Sequence, residues 1–172
     1  GKSGVASVFG NMGRSFFERK EYDKALEYQK RALEVSIELG DRYQMGYWLT
    51  GIGNTLSAMG NRQEAMEYLQ HALRLRRDEL QSNAGVAETL IAIGILLAEQ
   101  NNYDEAMKYL SEALMLAEEI GEQASACIAH KELASLLKRQ GVIAESYRHF
   151  EKYHELEKVI QSEEAVKQSL LL

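Results

Sequence analysis

The chain contains no proline at all. No residue in it breaks a helix by ring sterics, so the ends of helices must be made by Gly, Asn, Asp and Ser. Cysteine is nearly as scarce. The single Cys127 excludes an internal disulfide and fits a reducing compartment, so a cytoplasmic location is expected. Positive charge is in deficit: 20 basic residues stand against 26 acidic ones, with no long block of either sign. Nucleic-acid binding rests on a concentrated basic patch and is therefore not expected. Long apolar runs are missing too. The longest, LIAIGILLA from Leu90 to Ala98, has about half the ~20 residues a membrane span needs, so no membrane partner is expected. The chain opens on Gly1 without a charged and apolar leader, and it is expected to be a piece of a longer protein.

What is present is helix-forming and periodic. With 172 residues, 45% hydrophobic and 27% charged, the chain is long enough for one unit with a sizeable core. Four stretches align without gaps: FGNMGRSFFERKEYD from Phe9, LTGIGNTLSAMGNRQ from Leu49, LIAIGILLAEQNNYD from Leu90 and HKELASLLKRQGVIA from His130. Their spacing is 40, 41 and 40 residues. Each is followed by a second amphipathic segment: YDKALEYQKRALEV, RQEAMEYLQHALRL, YDEAMKYLSEALML and IAESYRHFEKYHEL. Small residues recur in register. They are Gly13, Gly53, Gly94 and Ala134 in the first segments, and Ala25, Ala65, Ala106 and Ser146 in the second. A further set comprises Ala32, Ala72 and Ala113, replaced by Tyr153 in the fourth unit.

This register of a large residue, Leu/Ile/Met-Gly, an aromatic or Leu, and then paired alanines resembles the tetratricopeptide repeat over nearly the whole chain. It departs from the 34-residue form in its longer period and in lacking a proline after the second helix. Endings such as ELGDR (Glu38 to Arg42) and EEIGEQ (Glu118 to Gln123) stand there instead. The resemblance implies an all-α, right-handed α-solenoid of four antiparallel helix pairs with a C-terminal capping or connector helix. The repeats are expected at about 5–41, 42–81, 82–121 and 122–160, with a helical tail over 161–172.

The register also accounts for glycine inside helices, where each costs roughly 0.5–1 kcal/mol relative to Ala. Gly53 is expected to face Ala65 of its own hairpin, so that Ile52, Leu56, Tyr68 and Leu69 pack around a close backbone approach. Gly51 is expected to lie outside that contact. The fourth unit, with Ala134, Ser146 and Tyr153 at the small positions, reads as a terminal cap. The segment after it is helix-competent. Either it folds over the end of the solenoid, or it leads into another domain, as in the bacterial signalling proteins it resembles.

Catalytic and metal constellations are not found. His149 and His154 are five apart and do not share a helix face, and His154-Glu155 has no second His at metalloprotease spacing. His130 takes the place of the large residue and reads as a packing histidine, with a pH switch as the alternative. Cys127 lies in the small apolar run ASACIA and reads as a buried space-filler with no base beside it. Gly10-Asn11-Met12-Gly13 has neither a preceding strand nor a GKS/T ending, so it is not a phosphate loop. Glu118-Glu119 and Glu163-Glu164 belong to solvated faces. No enzyme activity, cofactor or metal is expected.

In the tetratricopeptide family the first helices line a concave face. Helical spacing then puts in one stripe Gly10, Arg14 and Phe17; Thr50, Asn54 and Ser57; Ile91, Ile95 and Ala98; and Lys131, Ser135 and Lys138, with Tyr47 and Glu88 at its border. The partner-binding residues expected from this are Arg14, Tyr47, Asn54, Ile91, Ile95, Lys131, Ser135 and Lys138. Ile91 and Ile95 form an apolar centre between Asn54 and the two lysines. The members of the family that clamp a chaperone C-terminus use Lys, Asn and Arg where this chain has Thr50, Ala92 and Glu132, so that docking is not expected although Asn54 matches. The expected function is a non-catalytic module that binds a protein or peptide segment in the groove, as a scaffolding or sensory part of a larger regulatory protein. The alternative is a sensor of short peptides whose curvature changes on binding. Self-association through the solenoid ends is possible.

Overall fold

The computed structural model describes residues 1–172. Eight α-helices follow one another: α1 Lys2–Glu18, α2 Tyr22–Leu39, α3 Arg42–Ala58, α4 Arg62–Arg74, α5 Asn83–Glu99, α6 Tyr103–Ile120, α7 Gln123–Arg139 and α8 Ile143–Leu170. A π-helical turn, Leu75–Glu79, extends α4. Consecutive helices pair as hairpins α1/α2, α3/α4, α5/α6 and α7/α8, and each hairpin stacks on the next to give the expected all-α solenoid.

Helix ends are made without proline, and they keep the period of the sequence. Turns inside the hairpins place Lys20, Gly60, Asn101 and Gly141 in the left-handed region, and turns between hairpins do the same at Gly40, Gln81 and Gly121. Each such residue turns the chain and lets the following amide bond back to a carbonyl of the last helical turn, as in Asp41 N–H to the Ser36 carbonyl at 2.9 Å. Between hairpins, the next helix then starts on a capping side chain. Asp41, Ser82 and Glu122 accept from the amides of Gln44, Gly85 and Ser125.

The core is continuous through the two middle hairpins, where Ile52, Leu56, Leu69, Leu90, Ile93 and Leu96 are fully buried. Leu110, Leu133 and Leu136 with Ala106 carry it into the fourth. The small residues sit where the hairpins close. A Cβ on Gly53 would stand 2.6 Å from the Leu69 Cγ and 3.3 Å from the Ala65 carbonyl, and one on Gly94 would stand 2.6 Å from the Leu110 Cγ. Ala25, Ala65, Ala106, Ala32, Ala72 and Ala113 are all inaccessible. In the fourth hairpin the Ser146 hydroxyl donates to the Ala134 carbonyl at 2.7 Å, a polar substitute for the alanine contact.

α8 runs unbroken past residue 160, and residues 161–172 are all exposed. The tail therefore continues the last helix and does not fold over the end of the solenoid. Exposed apolar side chains remain at both ends, Val5 and Val8 on α1 and Ile143, Tyr147 and Phe150 on α8.

Gly51 is a useful contrast to Gly53, because a Cβ there would meet only ordinary contacts, the nearest being the Gln29 Nε2 at 3.6 Å. Gly53→Leu is expected to lower stability by about 1–3 kcal/mol through overpacking, and Gly51→Leu by distinctly less. Thermal unfolding of the two variants followed by circular dichroism checks this, and equal melting temperatures would contradict it.

Candidate functional site

The first helices of the hairpins lie side by side, and the face they present encloses a groove of about 730 Å³. Phe17 of α1, Asn54 of α3, Ile91, Ile95 and Glu99 of α5, and Ile128 of α7 line it. A smaller recess of about 150 Å³ opens beside it among Arg14, Tyr47, Trp48 and Glu88, and the two share Phe17, Asn54 and Glu88. Of the residues expected from helical spacing, Arg14, Tyr47, Asn54, Ile91 and Ile95 thus meet in one continuous depression.

The other three do not. Lys131, Ser135 and Lys138 line a separate hollow of about 440 Å³, closed on its far side by Ile143, Tyr147, Phe150 and Tyr153 of α8. The fourth-repeat side of the groove is formed by Glu122, Ala124, Ser125 and Ile128 at the start of α7, so it is acidic rather than basic. Helical spacing identifies which residues share a face of α7. It does not reveal that α8 and the end of the solenoid divide that face. Two further members of the stripe are also covered. A Cβ on Gly10 would lie 2.3 Å from the Trp48 ring, and Thr50 is buried with its hydroxyl 3.1 Å from that of Thr89.

The groove floor holds a residue outside the expected stripe. Arg76 enters from the π-helical turn, and only 6% of its side chain is exposed. Its Nη1 donates to the Gly85 carbonyl at 3.0 Å, Glu88 Oε2 at 2.9 Å and Thr89 Oγ1 at 3.1 Å. The aliphatic stem passes between two helices that carry no side chain at that level. A Cβ on Gly46 of α3 would be 3.0 Å from Arg76 Cγ, and one on Gly85 of α5 would be 2.9 Å from Cδ. Thr89 and Thr50 continue the network, and the Thr50 hydroxyl also donates to the Gly46 carbonyl at 3.0 Å. Three elements, the π-helical turn, α5 and α3, are thereby joined by polar contacts directly beneath the groove, where a buried charge must be hydrogen-bonded to be tolerated.

The signal for Arg76 was in the spacing. Ala72 and the cap Ser82 are ten residues apart, whereas Ala32 and Asp41, and Ala113 and Glu122, are nine apart. One inserted residue in a helix is absorbed as a π-helical turn. Counted from the small residue before it, Arg76 occupies the register of Ser36 and Ala117, both fully buried.

A second polar pair lies away from the groove. His130 Nδ1 and His149 Nδ1 are 2.8 Å apart between α7 and α8, and His130 Nε2 lies 3.4 Å from Glu118 of α6. Reading His149 only against its own helix hid this contact. Burial is the main cause holding both imidazoles below the ordinary value of 6.5; the neighbouring His149 charge adds to it for His130, while Glu118, and Glu145 in the case of His149, oppose it. Arg148 and Lys152 are the cations in reach. The Cys127 thiol is pushed up, first by burial and then by Glu157, consistent with an inert packing residue.

Because the folded chain binds these protons less readily than the unfolded one, stability is expected to fall as pH drops through 6.5 and below. Denaturant midpoints measured between pH 7.5 and 5 check this. The wild type should lose more stability over that range than His149→Phe, and parallel curves would contradict it.

Stacked antiparallel hairpins with a concave, part-apolar face define an α-solenoid of the kind built around protein partners. The chain belongs to the tetratricopeptide repeat family, whose models match residues 4–78 and 87–120. It is 33% identical over 61 residues to human G-protein-signaling modulator 1, a match covering 36% of this chain and 9% of that protein. The fold is shared with BtubC (BKLC) from P. vanneervenii at a TM-score of 0.76 and 17% identity, covering 94% of this chain and 66% of that one. It is shared with aspartyl phosphate phosphatase F from Bacillus subtilis at 0.81 and 18%, covering 91% of this chain and 41% of that one. The apo form of RapI gives 0.76 and 18%, with 90% of this chain and 43% of that one covered. The chain thus spans less than two thirds of these solved structures and about a tenth of the curated relative, and at such identities the structures speak for the fold alone. No helix is long and apolar enough to cross a membrane.

Proposed function

We propose that the chain is a non-catalytic interaction module that seats a peptide segment of a partner protein along α5. In this reading it serves as a scaffolding or sensory part of a larger regulatory protein. The observation that carries it is the groove floor: Ile91 and Ile95 lie one turn apart in a depression of about 730 Å³, lined by further apolar side chains such as Phe17, Leu80 and Ile128 and by the polar Asn54, Ser57, Glu88, Glu99 and Glu122. An apolar surface with polar groups interspersed is the arrangement in which a short segment buries one or two side chains and fixes its direction by polar contacts. Membership of a repeat family that generally lacks catalysis agrees with it.

Selection of random peptides on the immobilised chain, followed by calorimetry, tests the reading. Ile95 is half-buried and contributes its side chain to the groove. Ile95→Glu is expected to weaken selected peptides roughly 10-fold or more, in line with loss of a central apolar contact, while helicity is retained. Selected peptides that bind Ile95→Glu as tightly as the wild type would exclude the groove.

A further inference from the structure

We infer that Arg76 makes the groove a receptor for a carboxylate, so that the segment it binds carries an Asp, a Glu or its own C-terminus at the start of α5. This rests on the groove being the binding face, and it adds the chemistry of one end of the ligand.

A guanidinium has five N–H donors. All three hydrogen bonds of Arg76 leave from Nη1, and none is made by Nε or Nη2. Neither of those atoms is sealed off, since the buried side-chain polar atom without a partner is the indole nitrogen of Trp48. What remains accessible of Arg76 opens on the groove it lines. Nε and Nη2 are the edge of the fork that grips a carboxylate through two parallel bonds. The aliphatic stem is held between Gly46 and Gly85, and Glu88 and Thr89 fix the other edge, so the unfilled edge is pre-oriented.

The charges agree. Arg14 and Glu88 line the adjoining recess, and Arg14 has no ion-pair partner. Arg14 and Arg76 thus stand beside Glu88, which is 55% exposed on its side chain and already engaged on Nη1. Glu122, which caps the Ser125 amide, lines the α7 side of the groove. Glu99 stands at the opposite end of α5, ten residues beyond Thr89, or about 15 Å along the helix. The groove thus runs from Arg14 and Arg76 past the Ile91/Ile95 strip to Glu99. Arg76 is not one of the positions that clamp chaperone termini in related repeats; it reaches the groove from the second helix of its hairpin, through the inserted turn.

The test uses peptides selected on the wild-type chain, each paired with a twin in which Asp or Glu becomes Asn or Gln, or the C-terminus is amidated. The twins separate a side-chain source of the carboxylate from a terminal one. On the wild type, removing the critical carboxylate is expected to weaken binding roughly 10- to 100-fold, the range for a hydrogen bond to a charged group. On Arg76→Gln the two twins should differ less than about twofold. Trp48, the sole tryptophan, borders the recess, so its fluorescence reports both binding and native packing. Should Arg76→Gln fail to fold, the Arg76 Nε–H resonance of the wild type is the second readout; it should move with the acidic peptide and stay with its neutral twin. Peptides that lose binding on Ile95→Glu yet show no carboxylate dependence, or keep it on Arg76→Gln, would overturn the assignment and leave the groove standing. Peptides indifferent to Ile95→Glu, or no selected peptide at all, would remove both.

Discussion

The architecture depends on places where two helices touch through backbone because one of them carries no side chain. At Gly53 and Gly94 the facing leucines, Leu69 and Leu110, lie where a Cβ would have to be. A helix gives up propensity at such a glycine, and the loss is offset by the closer burial of Ile52, Leu56, Ile93 and Leu96 around it. Closed hairpins of one shape stack in one way, and that stacking sets the first helices side by side with a common face turned inward. The groove is a consequence of this arrangement rather than an addition to it.

Much of this was legible in the sequence because the constraint is local and repeats. The small residues and the left-handed residues inside the hairpins return at 40, 41 and 40, and the left-handed residues and caps between hairpins at 41 and 40, so each repeat corroborates the others. Within the depression, Asn54, Ile91 and Ile95 followed from helical spacing together with the concave face that the family resemblance implies. Lys131, Ser135 and Lys138 did not belong with them, because the face of the last first-helix is bounded by α8 and by the end of the solenoid. Periodicity describes what repeats share and says nothing about where the series stops.

The other omissions share a cause. Arg76 is one charge among several in LRLRRDE, at the end of α4. Its burial depends on an inserted residue in its own helix and on Gly46 and Gly85, which come from two different hairpins. His130 and His149 are 19 residues apart and meet only because α7 and α8 pack. In each case the chemistry arises between elements, at a position where the repeat is broken. The repeats supply a scaffold, and their irregularities supply polar contacts between elements, Arg76 beneath the groove and the histidine pair away from it.

The most direct measurement of the central contact is a nuclear Overhauser spectrum of the methyl-labelled chain in solution. Strong cross-peaks are expected from the Gly53 Hα protons to the Leu69 methyls and from the Gly94 Hα protons to the Leu110 methyls. If those cross-peaks are missing while the helices are intact, the hairpins do not close through glycine, and the account of both the stack and its groove is contradicted.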